Sequence, residues 1–154
     1  MLLNQPESGA LVTEYSFAGT PLRSFGALRR TGHEADRDVH LALNVGLPLV
    51  NPRGGFYFVF LTGVPLVRAF DAQGALRFER HIEGRELDDL VAGLPSVWPG
   101  RRGEDGELPL VTPSLRTAAV DRDGNLWVAL VPPYVYVYDA EGEKRRTLQL
   151  RAPT

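Results

Sequence analysis

Cysteine is absent from the chain, so disulfide staples, thiolate metal sites and thiol nucleophiles are all excluded. An excess of charge of one sign is lacking too: 17 Lys and Arg stand against 19 Asp and Glu, a net charge of −2. That balance supplies no electrostatic pull toward nucleic acid or an anionic membrane. The short basic runs Arg29-Arg30, Arg101-Arg102 and Lys144-Arg145-Arg146 are flanked by acids or strand residues and read as solvated edges. No stretch approaches the ~20 apolar residues of a membrane-spanning helix. The opening Met1-Leu2-Leu3-Asn4-Gln5-Pro6-Glu7 has neither the basic region nor the apolar core of a signal peptide. A soluble chain is expected, in the cytoplasm or, as a processed piece, outside it.

What is present is punctuation. The 154 residues, enough for one domain with its own core, hold 16 Gly and 12 Pro spread along the chain. That pattern favours many short strands joined by turns over long helices. One helix is expected over Arg85 to Ala92, where Leu87, Leu90 and Val91 fall at helical spacing and Gly93 can end it.

The strongest signal is self-similarity. Phe70-Asp71-Ala72-Gln73-Gly74 and Tyr138-Asp139-Ala140-Glu141-Gly142 are one pentapeptide in physical terms, and Tyr15-Ser16-Phe17-Ala18-Gly19 is a weaker third copy. A strand-ending aromatic, an Asp or Ser that folds back onto backbone amides, and a Gly for the φ > 0 position together spell a hairpin loop. Upstream, Gly55-Phe56-Tyr57-Phe58-Val59 matches Gly124-Asn125-Leu126-Trp127-Val128, and the match runs on to the pentapeptide with a single-residue gap.

Strands read into this register give a four-stranded repeating unit. The last copy runs Arg116 to Asp121, Leu126 to Val131, Tyr134 to Tyr138 and Arg145 to Leu150. The middle copy runs Leu41 to Val50, Phe56 to Leu61, Leu66 to Phe70 and Leu76 to Ile82. The first shows only its later half, Leu11 to Phe17 and Pro21 to Phe25. The single domain thus divides into a partial blade over 10–28, a blade over 39–83, a helix and loop insertion over 84–113, and a blade over 114–150. Repeats of ~40 to 50 residues with strands apolar on both faces suit β-propeller blades, which bury both sheet faces. A single β-sandwich with shared turn chemistry is the competing architecture.

The run Asp121-Arg122-Asp123-Gly124-Asn125-Leu126-Trp127-Val128, followed by Val137-Tyr138-Asp139-Ala140-Glu141-Gly142 and combined with Gly19-Thr20-Pro21-Leu22-Arg23-Ser24-Phe25-Gly26, resembles six-bladed β-propellers of the NHL-like bacterial kind. The resemblance implies an all-β stack of four-stranded antiparallel blades and a role as a binding platform. Two and a half units are fewer than the ~4 to 8 blades of a closed propeller, so an incomplete ring is expected. The chain is then a fragment, an arc capped by a partner, or one of several copies assembled head to tail.

No catalytic, cofactor-binding or metal-binding set emerges. Asp121-Arg122-Asp123-Gly124-Asn125 has oxygens at alternate positions, but its glycine comes two residues early for an EF-hand, whose sixth position is Leu126 here, and Pro132 stands where the bidentate acid belongs. A turn explains it better. His33, His40 and His81 show no metal-ligand spacing, and the dense loop His33-Glu34-Ala35-Asp36-Arg37-Asp38 reads as solvated. Ser24, Ser96 and Ser114 lack a nucleophile elbow, and Gly54-Gly55 lacks the lysine and helix of a phosphate loop.

Candidate interface residues are Trp98, Arg101, Arg102, Tyr134 and Tyr136. Tyr134, Tyr136 and Tyr138 alternate and share one strand face, fit for inter-blade packing or for stacking a sugar or single-stranded nucleic acid. Trp98 lies in the irregular stretch Leu94 to Pro113, whose charged centre Arg101 to Glu107 reads as an exposed tip. The expected function is a non-enzymatic interaction or scaffold module whose blade stack is completed by itself or a protein partner. The enzyme alternative is a fragment of a metal-dependent propeller hydrolase or lactonase, to which the inner strands offer only Asn44 and Asp121.

Overall fold

Five hairpin turns with one bonding scheme set the architecture. In the computed structural model, which describes residues 1–103, 106–131 and 133–151, Asp71 accepts from the backbone amides of Gln73 and Ala75 at 2.9 Å each. The Gly74 amide closes back on the Asp71 carbonyl at 3.0 Å, with Gly74 at φ 84°. Asp121 and Asp139 repeat the same contacts, and Ser16 and Asn51 each use one side-chain acceptor in the same frame. The glycine is needed because its position lies in the left-handed region, closed to most side chains.

These turns connect three antiparallel, blade-like sheets. The first has β1 (Leu2–Leu3), β2 (Ala10–Tyr15) and β3 (Pro21–Ala27) in sequential order. The middle sheet has β4 (Gly46–Val50), β5 (Phe56–Phe60), β6 (Leu66–Phe70) and β7 (Leu76–His81). A two-stranded hairpin, β8 (Gly100–Gly103) and β9 (Gly106–Pro109), precedes the third sheet. That sheet has β10 (Thr117–Val120), β11 (Leu126–Ala129), β12 (Tyr134–Tyr138) and β13 (Lys144–Gln149). The chain is therefore all-β, with blade-like sheets and no closed barrel. Among the described residues, no helix is long and apolar enough to cross a membrane.

Strand β5 explains the stacking. Its residues alternate in direction, as pleated strands must, so Phe58 and Phe60 pack toward the first sheet with Leu11, Val12, Phe25, Leu66 and Phe70. Tyr57 and Val59 pack toward the third sheet with Val67, Ala69, Leu126, Val128 and Tyr136. Both faces of the middle sheet are covered.

Several sequence expectations move. The inner strand of the middle sheet begins at Gly46, not Leu41, because α1 (Arg37–Ala42) takes the preceding residues. Asp36 caps that helix by accepting from the Val39 amide at 3.3 Å. Pro48 is tolerated in β4 because this strand pairs only with β5, leaving its other edge free of the ladder. The second helix, α2 (Asp88–Ala92), is shorter than Arg85 to Ala92 and has no side-chain cap; the Leu87 amide instead bonds Gly84. The first sheet gains β1, paired with β2. The stretch expected to be irregular contains the β8–β9 hairpin.

The repeat alignment shifts by one residue. Bonding aligns the turn Asn51 to Gly55 with Asp121 to Asn125, so Gly54 corresponds to Gly124 and Tyr57 to Trp127. The sequence match had followed Gly55 and absorbed the offset as a shorter gap, whereas the link between the two central strands is 61–65 in the middle sheet and 131–133 in the third.

The turn glycines also differ in surroundings, which gives a test. A Cβ on Gly74 would lie 2.9 Å from Phe25 Cβ of the neighbouring sheet, whereas one on Gly19 would meet nothing within 4 Å. Gly19→Ala is expected to cost about 1–2 kcal/mol, from its φ alone. Gly74→Ala carries that cost and a steric clash, and is expected to lower the urea midpoint further.

Candidate interaction surfaces

Cross-strand rows show which faces are covered. On the middle sheet, Leu47, Val59, Val67 and Arg80 form one row, and Leu49, Tyr57, Ala69 and Phe78 form the next. Their apolar members pack against the third sheet, and the Tyr57 hydroxyl donates across to the Gly124 carbonyl at 2.8 Å. On the third sheet the corresponding rows are Thr117, Ala129, Val135 and Leu148, then Ala119, Trp127, Val137 and Arg146. No further sheet among the described residues covers these rows. Val135 and Val137 are shielded by their own neighbours, while Thr117, Ala119 and Arg146 are exposed and Trp127 is half-buried.

The first sheet has the complementary opening. Its inward row Leu2, Glu14 and Arg23 faces the middle sheet, with the Arg23 guanidinium 5.3 Å from the Phe25 ring centre and 5.4 Å from that of Phe56. Its outward row is Leu3, Thr13 and Ser24, tied by a 3.0 Å bond between the two hydroxyls. Leu22 close by is exposed.

Trp127 is fixed by electrostatics. Its indole Nε1 donates to Asp121 Oδ2 at 2.9 Å, and Arg146 lies 5.7 Å from its ring centre. Asp121 also accepts from the amides of Asp123 and Asn125 and from the Asn125 side chain. These donors, the Trp127 indole first, hold its carboxyl down at about 2. The Asp121 oxygens expected to tempt a cation are thus turned to turn and strand donors. Asn44, the other inner-strand candidate, is fully buried; it accepts from the Arg29 amide at 2.8 Å and donates to the His40 carbonyl at 2.9 Å.

The expected interface residues fall into two separate groups. Tyr134 is half-buried, while Tyr136 and Tyr138 are buried between the middle and third sheets, the packing role of the alternating ladder. The Tyr136 hydroxyl donates to Glu86 Oε2 at 2.7 Å, and Lys144 Nζ sits 3.9 Å from its ring centre. Burial, followed by the Glu86 carboxylate, pushes the Tyr136 hydroxyl well above its ordinary range. Burial pushes Tyr138 up to about 12, and its hydroxyl has no hydrogen-bond partner among the described residues.

Trp98 is half-buried in a shallow cleft with Arg29, Arg30, His33, Val64 and Leu94. Arg101 and Arg102 pair through their backbones with Leu108 and Glu107; their side chains, and residues Glu104 and Asp105 of the expected tip, lie outside the described residues. In the cleft wall, the half-buried Arg29 donates to the carbonyls of Leu43 and Val64 at 2.8 and 2.7 Å and to that of Thr62. Desolvation, with Arg68 next, lowers it to about 10.

The remaining candidates are occupied structurally or isolated. His40 Nδ1 bonds Thr31 Oγ1 at 2.8 Å, His81 is exposed, and Ser114 is buried with its hydroxyl on the Gly63 carbonyl at 2.5 Å. Among the described residues, no three His, Asp or Glu side chains gather as a metal-binding group. No family model matches the chain, and no curated protein sequence matches it.

Sequence reading missed the Trp127 row. The signal was present: β12 is apolar on alternate residues of both faces, so each face of the third sheet needs a cover.

Two measurements check these environments. The side-chain carboxyl of Asp121 is expected to titrate by NMR near 2, and Trp127→Phe to move it up toward ~3.9. Because this pKa is depressed by folding, its stabilisation is complete above the unfolded value near 4 and is lost as pH falls through about 2. Tyr138→Phe, which removes an unbonded buried hydroxyl, is expected to hold or raise the urea midpoint, whereas Tyr136→Phe lowers it by breaking the Glu86 bond.

Proposed function

We propose that this chain is a non-enzymatic protein-interaction or scaffold module, a partial propeller of NHL-like blades whose two end sheets are completed by another protein surface. One observation carries the reading. The middle sheet has both faces covered, while among the described residues no further sheet covers the same rows on the third sheet or the outward row of the first, where Leu3 and Ser24 are exposed and Thr13 is buried. Sheets apolar on both faces gain stability only when stacked, at roughly 25 cal/mol per Å² of apolar surface removed from water. An open face at each end is therefore an attachment surface.

Trp98 and the β8–β9 hairpin, in the connection between the middle and third sheets, lie against α1 and add a second edge to the module. Its shallow cleft supplies an aromatic wall beside Arg29 and Arg30, the residue types that anchor interfaces.

Photo-cross-linking in cells tests the reading. p-Benzoylphenylalanine at exposed Ala119 or Ser24 is expected to give discrete protein adducts, identified by mass spectrometry, and the same probe at exposed Gln73 is not. Absence of adducts from both Ala119 and Ser24 overturns it.

A further inference from the structure

Resting on that reading, we infer that the completing surface is a second copy of this chain. The outward face of each first sheet seats on the open face of the other copy's third sheet, so that two chains close one ring of six sheets.

The within-chain interfaces show the rule that a further interface would follow. At each one, the hairpin glycine of the later sheet lies on the outer strand of the earlier sheet. A Cβ on Gly74 would meet Phe25 of β3 at 2.9 Å, and one on Gly142 would meet Phe78 and Arg80 of β7 at 2.8 and 2.9 Å. Gly19 is the same glycine in the first sheet, and among the described residues nothing lies within 4 Å of its Cβ position. Its seat is empty.

The outer strand that would fill the seat is present at the other end of the stack. β13 of the third sheet places Arg146 and Leu148 at the row positions that Phe78 and Arg80 hold in β7. Trp127 stands in register with Tyr57, Ala129 with Val59, Val135 with Val67 and Val137 with Ala69. The chain thus has an unoccupied glycine seat at one end and the face that occupies such seats at the other. Contacts of this kind are head to tail, and they close when the rotation per sheet permits. Three sheets taken twice give six, within the ~4 to 8 of closed blade rings.

Light scattering on the purified chain tests this. The mass expected is that of two chains. Ala119→Arg, on the third sheet's open face, and Ser24→Arg, on the first sheet's outward face, change exposed positions; each alone spoils both contacts of the pair and is expected to give single chains, with association weakened at least tenfold. An equimolar mixture of the two variants is expected to recover the two-chain mass, because one of the two contacts then joins two unaltered faces. Retained urea midpoints show that the variants fold; where Ser24→Arg does not, Leu22→Glu replaces it.

A single-chain wild type, a mixture that stays single, or masses that climb beyond two chains overturns the inference. A single-chain wild type that still gives discrete Ala119 adducts in cells overturns the second copy and leaves the interaction module standing. A single chain without adducts overturns both.

Discussion

The stack depends on β5 being apolar toward both sides. Phe58, Val59 and Phe60 are each fully buried, and such side chains contribute roughly 1.5–3 kcal/mol apiece relative to exposure. Their alternation divides the core into two layers, one against the first sheet and one against the third. A sheet with one solvated face would have needed no neighbours on its second side. This one requires two, and the requirement passes outward to the sheets that meet it.

Close approach of the sheets is arranged by small residues and by cations over rings. Gly142 admits Phe78, and Gly74 admits Phe25. Between the first and middle sheets, Arg23 lies over Phe25 and Phe56, and Arg29 and Arg68 approach the Phe60 ring. Among the described residues Arg29 has no carboxylate partner and is held by three backbone carbonyls. Charge is thus placed inside the stack by satisfying it with dipoles and π faces. The inner-strand candidates Asn44 and Asp121 are likewise bonded within the fold.

Much of this architecture was legible in order along the chain. The aromatic-Asp-x-x-Gly runs mark hairpins because an acid that caps two amides and a glycine at positive φ are local requirements. The strands of the middle sheet after β4 follow closely from those marks. Less legible were the elements whose partners are distant. Of α1, Arg37 and Asp38 read as solvated loop and Leu41 and Ala42 as the start of a strand, although Asp36 caps a helix there, and the β8–β9 hairpin has pairing but little periodicity. The repeat register slipped by one because Gly54 and Gly55 are adjacent, and only the turn's hydrogen bonds show which is the counterpart of Gly124.

Among the candidate residues, the sequence placed Tyr136 and Tyr138 on one face but had no means to show that the third sheet turns that face inward. It also passed over Trp127, whose row is exposed only because no further sheet follows it among the described residues. By itself, the sequence determined the all-β class, the turn chemistry and the existence of repeated units, since these rest on contacts within a few residues. The tertiary structure decided which strand face is core and which is open, and that Asp121 serves a turn and an indole. Those outcomes depend on which sheet stacks on which, a relation between residues 49 to 70 positions apart, as in the Arg23–Ala72 and Arg53–Asp123 bonds.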